Sequence, residues 1–385
     1  MEAGRGDAAT QAGGDVLRVG LDQATAVHAE PVAPTRPATP TAGDRPVERG
    51  WGAAQWVALA LGALVAIVYP IPFQIEDQTY FQTVGFLVLI NAMLGVGWNI
   101  IGGWAGQFDF GPQVFFAIGA YAAALLMERA GANAWVAMLG AIVVAVVLCA
   151  LLTYPITKLR GHYFAIATVA MWMIAQPIGS TWDLINGSLG MFIPFRSRDT
   201  LIEQALALQF SGRGKEMGYY YAALLLFAIA VAFAYAVKGS KFGYSFMAVR
   251  DDQDGAEAIG INSRLSKTTA RCMSAAIFAA GGVLYSMWAL SIYPEQVLDV
   301  TWGTLPTIAT VVGGLGRIWA PLLGALILIP LSQTMSTTLG TGPLAGRGID
   351  LIVYGIIIML IAALRPQGLL SLPWGRWFGR LVGRR

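Results

Sequence analysis

Ten runs of mostly apolar residues, each close to the length that crosses a bilayer, divide this chain and constrain its fold more than any other feature. A hydrocarbon core of about 30 Å needs roughly 20 apolar residues per helix. By that measure the runs fall at 53–70, 82–103, 110–128, 133–157, 162–181, 218–237, 268–290, 301–316, 318–339 and 349–364. The ninth begins at Ile318 because Arg317 interrupts a longer run. Composition agrees: only 12% of residues are charged and mean hydropathy is +0.61, against about 25% charged in soluble domains. Most of the surface of such a chain cannot face water. The expected fold is therefore all-α, a polytopic transmembrane helical bundle of about ten spans.

Residues 1–50 differ in kind. They are rich in Ala, Gly, Thr and Pro, with Pro31, Pro34, Pro37 and Pro40 at three-residue spacing. Too little apolar surface is present to offset ordering entropy, so a disordered tail with local polyproline II character is expected. It holds no apolar h-region, which argues against a signal peptide. Residues 51–370 form the expected membrane domain, and 371–385 a short basic C-terminal segment.

Basic residues set the orientation. With the N-terminus inside, the expected cytoplasmic segments hold 19 of the 25 Lys and Arg, including six between Lys238 and Arg271. The long external loop at 183–217 carries four, balanced by Asp183, Asp199, Glu203 and Glu216. Ten spans with both termini cytoplasmic is the consistent arrangement.

Little in the sequence supports covalent chemistry. The one Gly-Lys pair, Gly214-Lys215, is followed by Glu216 and lacks the glycine of a phosphate-binding loop, so any use of ATP must come from a partner. His28 and His162 have no Cys or acidic cluster around them. Cys149 and Cys272 lie in apolar runs and read as small core residues rather than as a disulfide. Net charge is +3 with no basic stripe, which gives no reason to expect nucleic acid.

Three polar or glycine-rich features stand out. Gly102-Gly103-Trp104-Ala105-Gly106 and Gly313-Gly314-Leu315-Gly316 sit where one run turns into the next. They read either as tight turns or as broken helices whose freed backbone groups line a polar path. The stretch 106–121 follows the first, with Gln107, Asp109, Gln113, Phe115, Phe116 and Tyr121 as candidate pathway residues. An acid at membrane depth is costly and marks a functional site by default. Asp109 has three roles open to it: N-cap of the helix that begins near Pro112, direct solute selection, or exposure at the interface. The third feature is the charged segment 248–264, the longest expected cytoplasmic loop. Its candidate residues are Arg250, Asp251, Asp252, Ala256, Glu257, Ala258 and Gly260. A short helix over Ala256 to Ile259, ended by a left-handed turn at Gly260-Ile261-Asn262, would suit docking of a soluble partner; a solvated loop helix is the plainer alternative.

These stretches together resemble the branched-chain amino acid ABC transporter permease family, in its LivM-type subunit, from about residue 82 to 370. Four motifs carry the resemblance: Gly106-Gln107 through Phe115-Phe116-Ala117-Ile118-Gly119-Ala120-Tyr121; Gly161-His162-Tyr163-Phe164-Ala165-Ile166-Ala167-Thr168; Ser240-Lys241-Phe242-Gly243 through Arg250-Asp251-Asp252 to Ala256-Glu257-Ala258-Ile259-Gly260-Ile261-Asn262; and Val312-Gly313-Gly314-Leu315-Gly316 with Gly324 beyond. The third is similar to the coupling segment of such permeases. The resemblance implies a second homologous permease subunit, two ATPase subunits that carry ATP and Mg, an external solute-binding protein, and a prokaryotic plasma membrane. This chain itself would hold no cofactor and perform no catalysis. It departs from the family pattern at Asp109, usually a small polar residue, and at Pro112, often His. That opens related solutes such as urea, short amides or organic and aromatic acids beside the branched-chain amino acids. A secondary transporter, which would carry paired intramembrane ionisable groups, a channel and a membrane enzyme are the alternatives from other classes.

Overall fold

In the computed structural model, residues 62, 64–75, 79–159, 161–194 and 200–340 are described, with three further positions at 355, 356 and 359. The tail 1–50, the C-terminal segment 371–385 and the tenth expected span lie outside the described residues, apart from those three positions.

Helix α1 (Leu64–Phe73) is followed by α2 (Thr79–Trp98), whose last turns widen into a π-helical segment at Asn99–Trp104. Then come α3 (Gln113–Ala130), α4 (Ala134–Ile156) and α5 (His162–Thr181). After short 3₁₀ turns and α6 (Leu201–Ala207), α7 runs over Lys215–Lys238. Two short helices follow, α8 (Lys241–Asp251) and α9 (Gln253–Ala258), before the long α10 (Ser263–Ala289). The described part closes with α11 (Pro294–Val297), α12 (Thr301–Gly313) and α13 (Ala320–Gly340). A two-residue antiparallel pairing of Met191–Phe192 (β1) with Ser291–Ile292 (β2) ties the 183–217 loop to the far end of α10.

Eight of the ten expected spans coincide with a helix. Among the described residues, five helices are long and apolar enough to cross a membrane: the α2–π unit Thr79–Trp104, α4, α5, α7 and α10. Helix α12, at 13 residues, reaches only about 20 Å and does not cross a bilayer alone.

Helices α2 and α10 form the centre. Helix α2 is apolar around its whole circumference, as a helix covered on all sides must be; Phe86, Ile90, Leu94 and Trp98 are all enclosed. It packs against α7, α10, α12 and α13, and α10 also packs on α3 and α4. The α3–α10 contact is very close. A Cβ at Gly282 would lie 2.0 Å from the Phe116 carbonyl oxygen, and one at Gly119 would lie 2.3 Å from that of Ala279. Small residues let backbones approach this far in a membrane protein, where dispersion between helices replaces the hydrophobic effect. Helices α4 and α5 lie at the periphery and leave apolar side chains uncovered, among them Leu139, Val143, Val147 and Leu151 on α4, and Ile166, Ile174 and Ile178 on α5.

Candidate functional site

The 106–121 stretch contains a non-helical segment at 105–112 between the π-helical turn and α3. Helix α3 begins at Gln113, later than expected. Its N-cap position is Pro112, which makes no side-chain cap. Asp109 therefore does not cap the helix. Its Oδ1 accepts from the nearer amide of Gly111 at 2.9 Å, a local turn that a short carboxylate closes two residues ahead.

The larger part of the Asp109 environment is an ion pair. Arg271 donates from Nε to Asp109 Oδ2 at 2.8 Å and from a terminal nitrogen to Oδ1 at 3.1 Å. Its other terminal nitrogen donates to Thr153 Oγ1 at 3.2 Å. The guanidinium lies 5.3 Å from the ring centre of Phe115 and 5.5 Å from that of Phe164. Side-chain exposure is 0% for Arg271 and 1% for Asp109. Both carboxylate oxygens are thus occupied, and neither faces open space. Sequence alone counted Arg271 with the cytoplasmic cations although it lies in the first turn of the expected run 268–290. In the structure α10 starts at Ser263, capped by Asn262, whose side chain accepts from Leu265 N. That shift brings Lys267 inside the helix and sets Arg271 two turns from its start. Asp109 is consequently not a lone intramembrane charge. The partner was findable: an arginine two turns into an apolar helix demands an acid.

Of the other candidates, Gln107 and Gln113 are buried. Gln107 Nε2 donates to the Ala105 carbonyl, and Gln113 Nε2 donates to that of Phe110. Phe115 lies beside Arg271, and Phe116 is buried in an aromatic cluster, stacked on Trp302 at 4.6 Å and tilted against Tyr285 at 5.7 Å. Tyr121 is also buried, well along α3 from Asp109. The side chains the segment does expose are its neighbours Phe108 (48%) and Phe110 (41%). Exposure alternates along the segment, so that the aromatic pair is uncovered while Gln107 and Asp109 are buried.

The two glycine-rich stretches meet in space. Asn99 in the π-helical turn accepts from Gly316 N at 2.9 Å and donates to the Arg317 carbonyl at 3.0 Å. Trp104 Nε1 donates to the Gly316 carbonyl at 3.0 Å. The second stretch is a glycine turn, with φ of +121° at Gly314 and +79° at Gly316, and the two are not independent. The freed backbone groups of one break are bonded by side chains from the other.

The charged segment forms α8 and α9. Helix α9 starts earlier than expected, at Gln253, because Asp252 caps it by accepting from the amides of Asp254 and Gly255 at 3.1 Å. It ends at Ala258, and Gly260 adopts φ of +89° as the left-handed turn requires. Ala256 is buried against the chain (3%), whereas Ala258 is exposed and Ile259 is 77% exposed. Arg250 reaches back to donate to the Gly103 carbonyl at 3.0 Å and pairs with Asp251 at 2.8 Å. Gln253 accepts from Lys267 Nζ at 2.7 Å and donates to Glu257, which also accepts from Ser263. An open cavity of about 560 Å³ lies beside this network, with Tyr154, Lys158 and Arg264 on its wall. No group of three His, Cys, Asp or Glu suited to a metal occurs among the described residues.

A polytopic helical bundle with bonded helix breaks and a structured segment between its long helices has the build of a membrane permease. The family model described as branched-chain amino acid transport system permease component matches residues 80–362. The chain belongs to that family and is a permease subunit of an ATP-binding cassette importer. It is 27% identical over 336 residues to the high-affinity branched-chain amino acid transport system permease protein LivM of Escherichia coli, covering 82% of this chain and 75% of that one. It is 24% identical over 298 residues to the permease protein BraD of Pseudomonas aeruginosa, covering 73% and 92%. A probable LivM of Methanocaldococcus jannaschii is 22% identical over 250 residues, or 60% and 69% of the two chains. No solved structure matches.

Proposed function

We propose that this chain forms one half of the solute pathway of an importer for branched-chain amino acids, in a prokaryotic inner membrane with both termini cytoplasmic, and that residues 250–262 dock on an ATPase partner. The observation that carries the docking reading is the build of α8 and α9. Capped, closed by Gly260 and bonded into α10, they present Ala258 and Ile259 outward. An isoleucine held outward on so ordered a scaffold is suited to burial against a partner. The remaining partners are a second permease subunit, two ATPases holding ATP and Mg, and an external solute-binding protein. The choice of solute is supported by the relatives' names and by the occupied carboxylate of Asp109. A charge already matched by Arg271 leaves no anion to favour a cationic solute, and the exposed neighbours are phenyl rings suited to an apolar side chain.

Purification separates the roles. The isolated chain should neither bind nor hydrolyse ATP. The complex reconstituted with its ATPases should hydrolyse it, faster when leucine-loaded binding protein is added. Turnover by the isolated chain, free of contaminants, would overturn the division of labour.

A further inference from the structure

The coupling segment is connected to the non-helical segment 105–112 by two chains, the first passing through the helical backbone of α10 and the second through Arg250. The first begins at Gln253 on α9, which accepts from Lys267 on α10 at 2.7 Å. Arg271 lies four residues further along α10, one helical turn away and on the same face. From there the bidentate pair reaches Asp109 in the segment itself. The second runs from Arg250, at the end of α8, to the carbonyl of Gly103 in the π-helical turn. The Arg250 side chain also packs on Gly106, where a Cβ would lie 2.5 Å from its Cγ and where φ is +67°. The start and the middle of the non-helical segment are thus tied to the proposed docking element.

The chemistry of the first chain is suited to holding direction. A guanidinium fork on a carboxylate fixes angle as well as distance, and here it is clamped further by Thr153 and flanked by Phe115 and Phe164. Stability alone does not call for it, because well-packed apolar residues in place of a buried pair are often neutral or better. Nor does the pair suit proton relay: arginine does not release its proton, and both carboxylate oxygens are engaged. The held segment carries Phe108 and Phe110 outward. Within a bilayer core, non-helical backbone is tolerated only where protein covers it or an aqueous cavity meets it.

We propose that Arg271 is a positioning residue for transport: through Asp109 it holds the 105–112 segment, with Phe108 and Phe110, to α10, so that displacement of the docked coupling segment moves the wall of the solute path. This rests on the docking reading above, and the test separates the two. The full complex, with both permeases, ATPases and binding protein, is reconstituted in vesicles. Leucine uptake and ATP hydrolysis are then measured together. In the double variant Asp109→Leu with Arg271→Met neither charge is left orphaned. It should assemble and hydrolyse ATP within about twofold of the parent, while leucine moved per ATP falls about tenfold or more. A parental ratio would overturn the proposal and leave the pair a structural brace. If the double variant does not assemble, Arg271→Lys decides, since it keeps the charge and loses the fork: a lowered ratio supports the role and an unchanged one overturns it. A parental complex without leucine-stimulated hydrolysis would instead sink the function reading itself.

Discussion

Losing the carboxylate of Asp109 would strand a guanidinium with no acid near it. Breaking one side of a buried pair costs about 3–5 kcal/mol, far above the roughly 1 kcal/mol of a lost helix cap. Asp109→Asn is therefore expected to lower the thermal midpoint of the detergent-purified chain sharply, and Asp109→Leu with Arg271→Met to recover most of the loss. Equal midpoints for Asp109→Asn and the parent would mean that the pair contributes little. The acid was conspicuous in the sequence, since it sits at the edge of an apolar run. What it paired with was hidden by a separation of 162 positions and by a helix start misjudged by five, although Asn262 ahead of Ser263 was a legible cap signal.

Among the elements, α9 gives the sharpest contrast between neighbours. Ala256 packs inward and Ala258 outward. Ala256→Trp should overpack the chain itself at about 1–3 kcal/mol. Ala258→Trp should stay within about 0.5 kcal/mol yet abolish co-purification of the ATPase. Membrane levels and pull-down yields of the two variants check this, and normal ATPase recovery with Ala258→Trp would remove the docking claim. Gly260→Val should also weaken the segment, because a β-branched residue adopts φ near +89° poorly; a parental thermal midpoint and ATPase recovery would show that the turn tolerates it. The sequence pointed to a short helix and its glycine stop here. Which alanine faces outward follows from packing on the rest of the chain, which no local pattern encodes.

For the whole molecule, the expected orientation makes a sharp test. A cysteine at Ser211 should react with an impermeant thiol reagent in intact cells, and one at Ser240 only after permeabilisation. Labelling of Ser240 from outside would invert α8 and α9 and with them the docking surface. The apolar faces left open on α4 and α5 are suited to lipid or, in the proposed assembly, to a second permease subunit. Pull-down of that subunit should therefore survive Ala258→Trp; its loss with this variant would mean that permease pairing depends on the coupling segment.

By itself the sequence determined the class of fold, the places of eight helices, the sites of the helix breaks and a short helix with a glycine stop in the charged segment. All of these follow from local quantities: apolar run length, glycine and proline punctuation, and charge along a short stretch. Tertiary structure decided that the two glycine-rich breaks bond to each other through Asn99 and Trp104, and that Asp109 faces Arg271 while Phe108 and Phe110 face outward. It also decided that α12 is too short to span alone. These depend on which helices pack together and at what rotation. Inside an almost uniformly apolar chain that choice rests on a few small residues and buried hydrogen bonds far apart in sequence, and hydropathy carries no record of it.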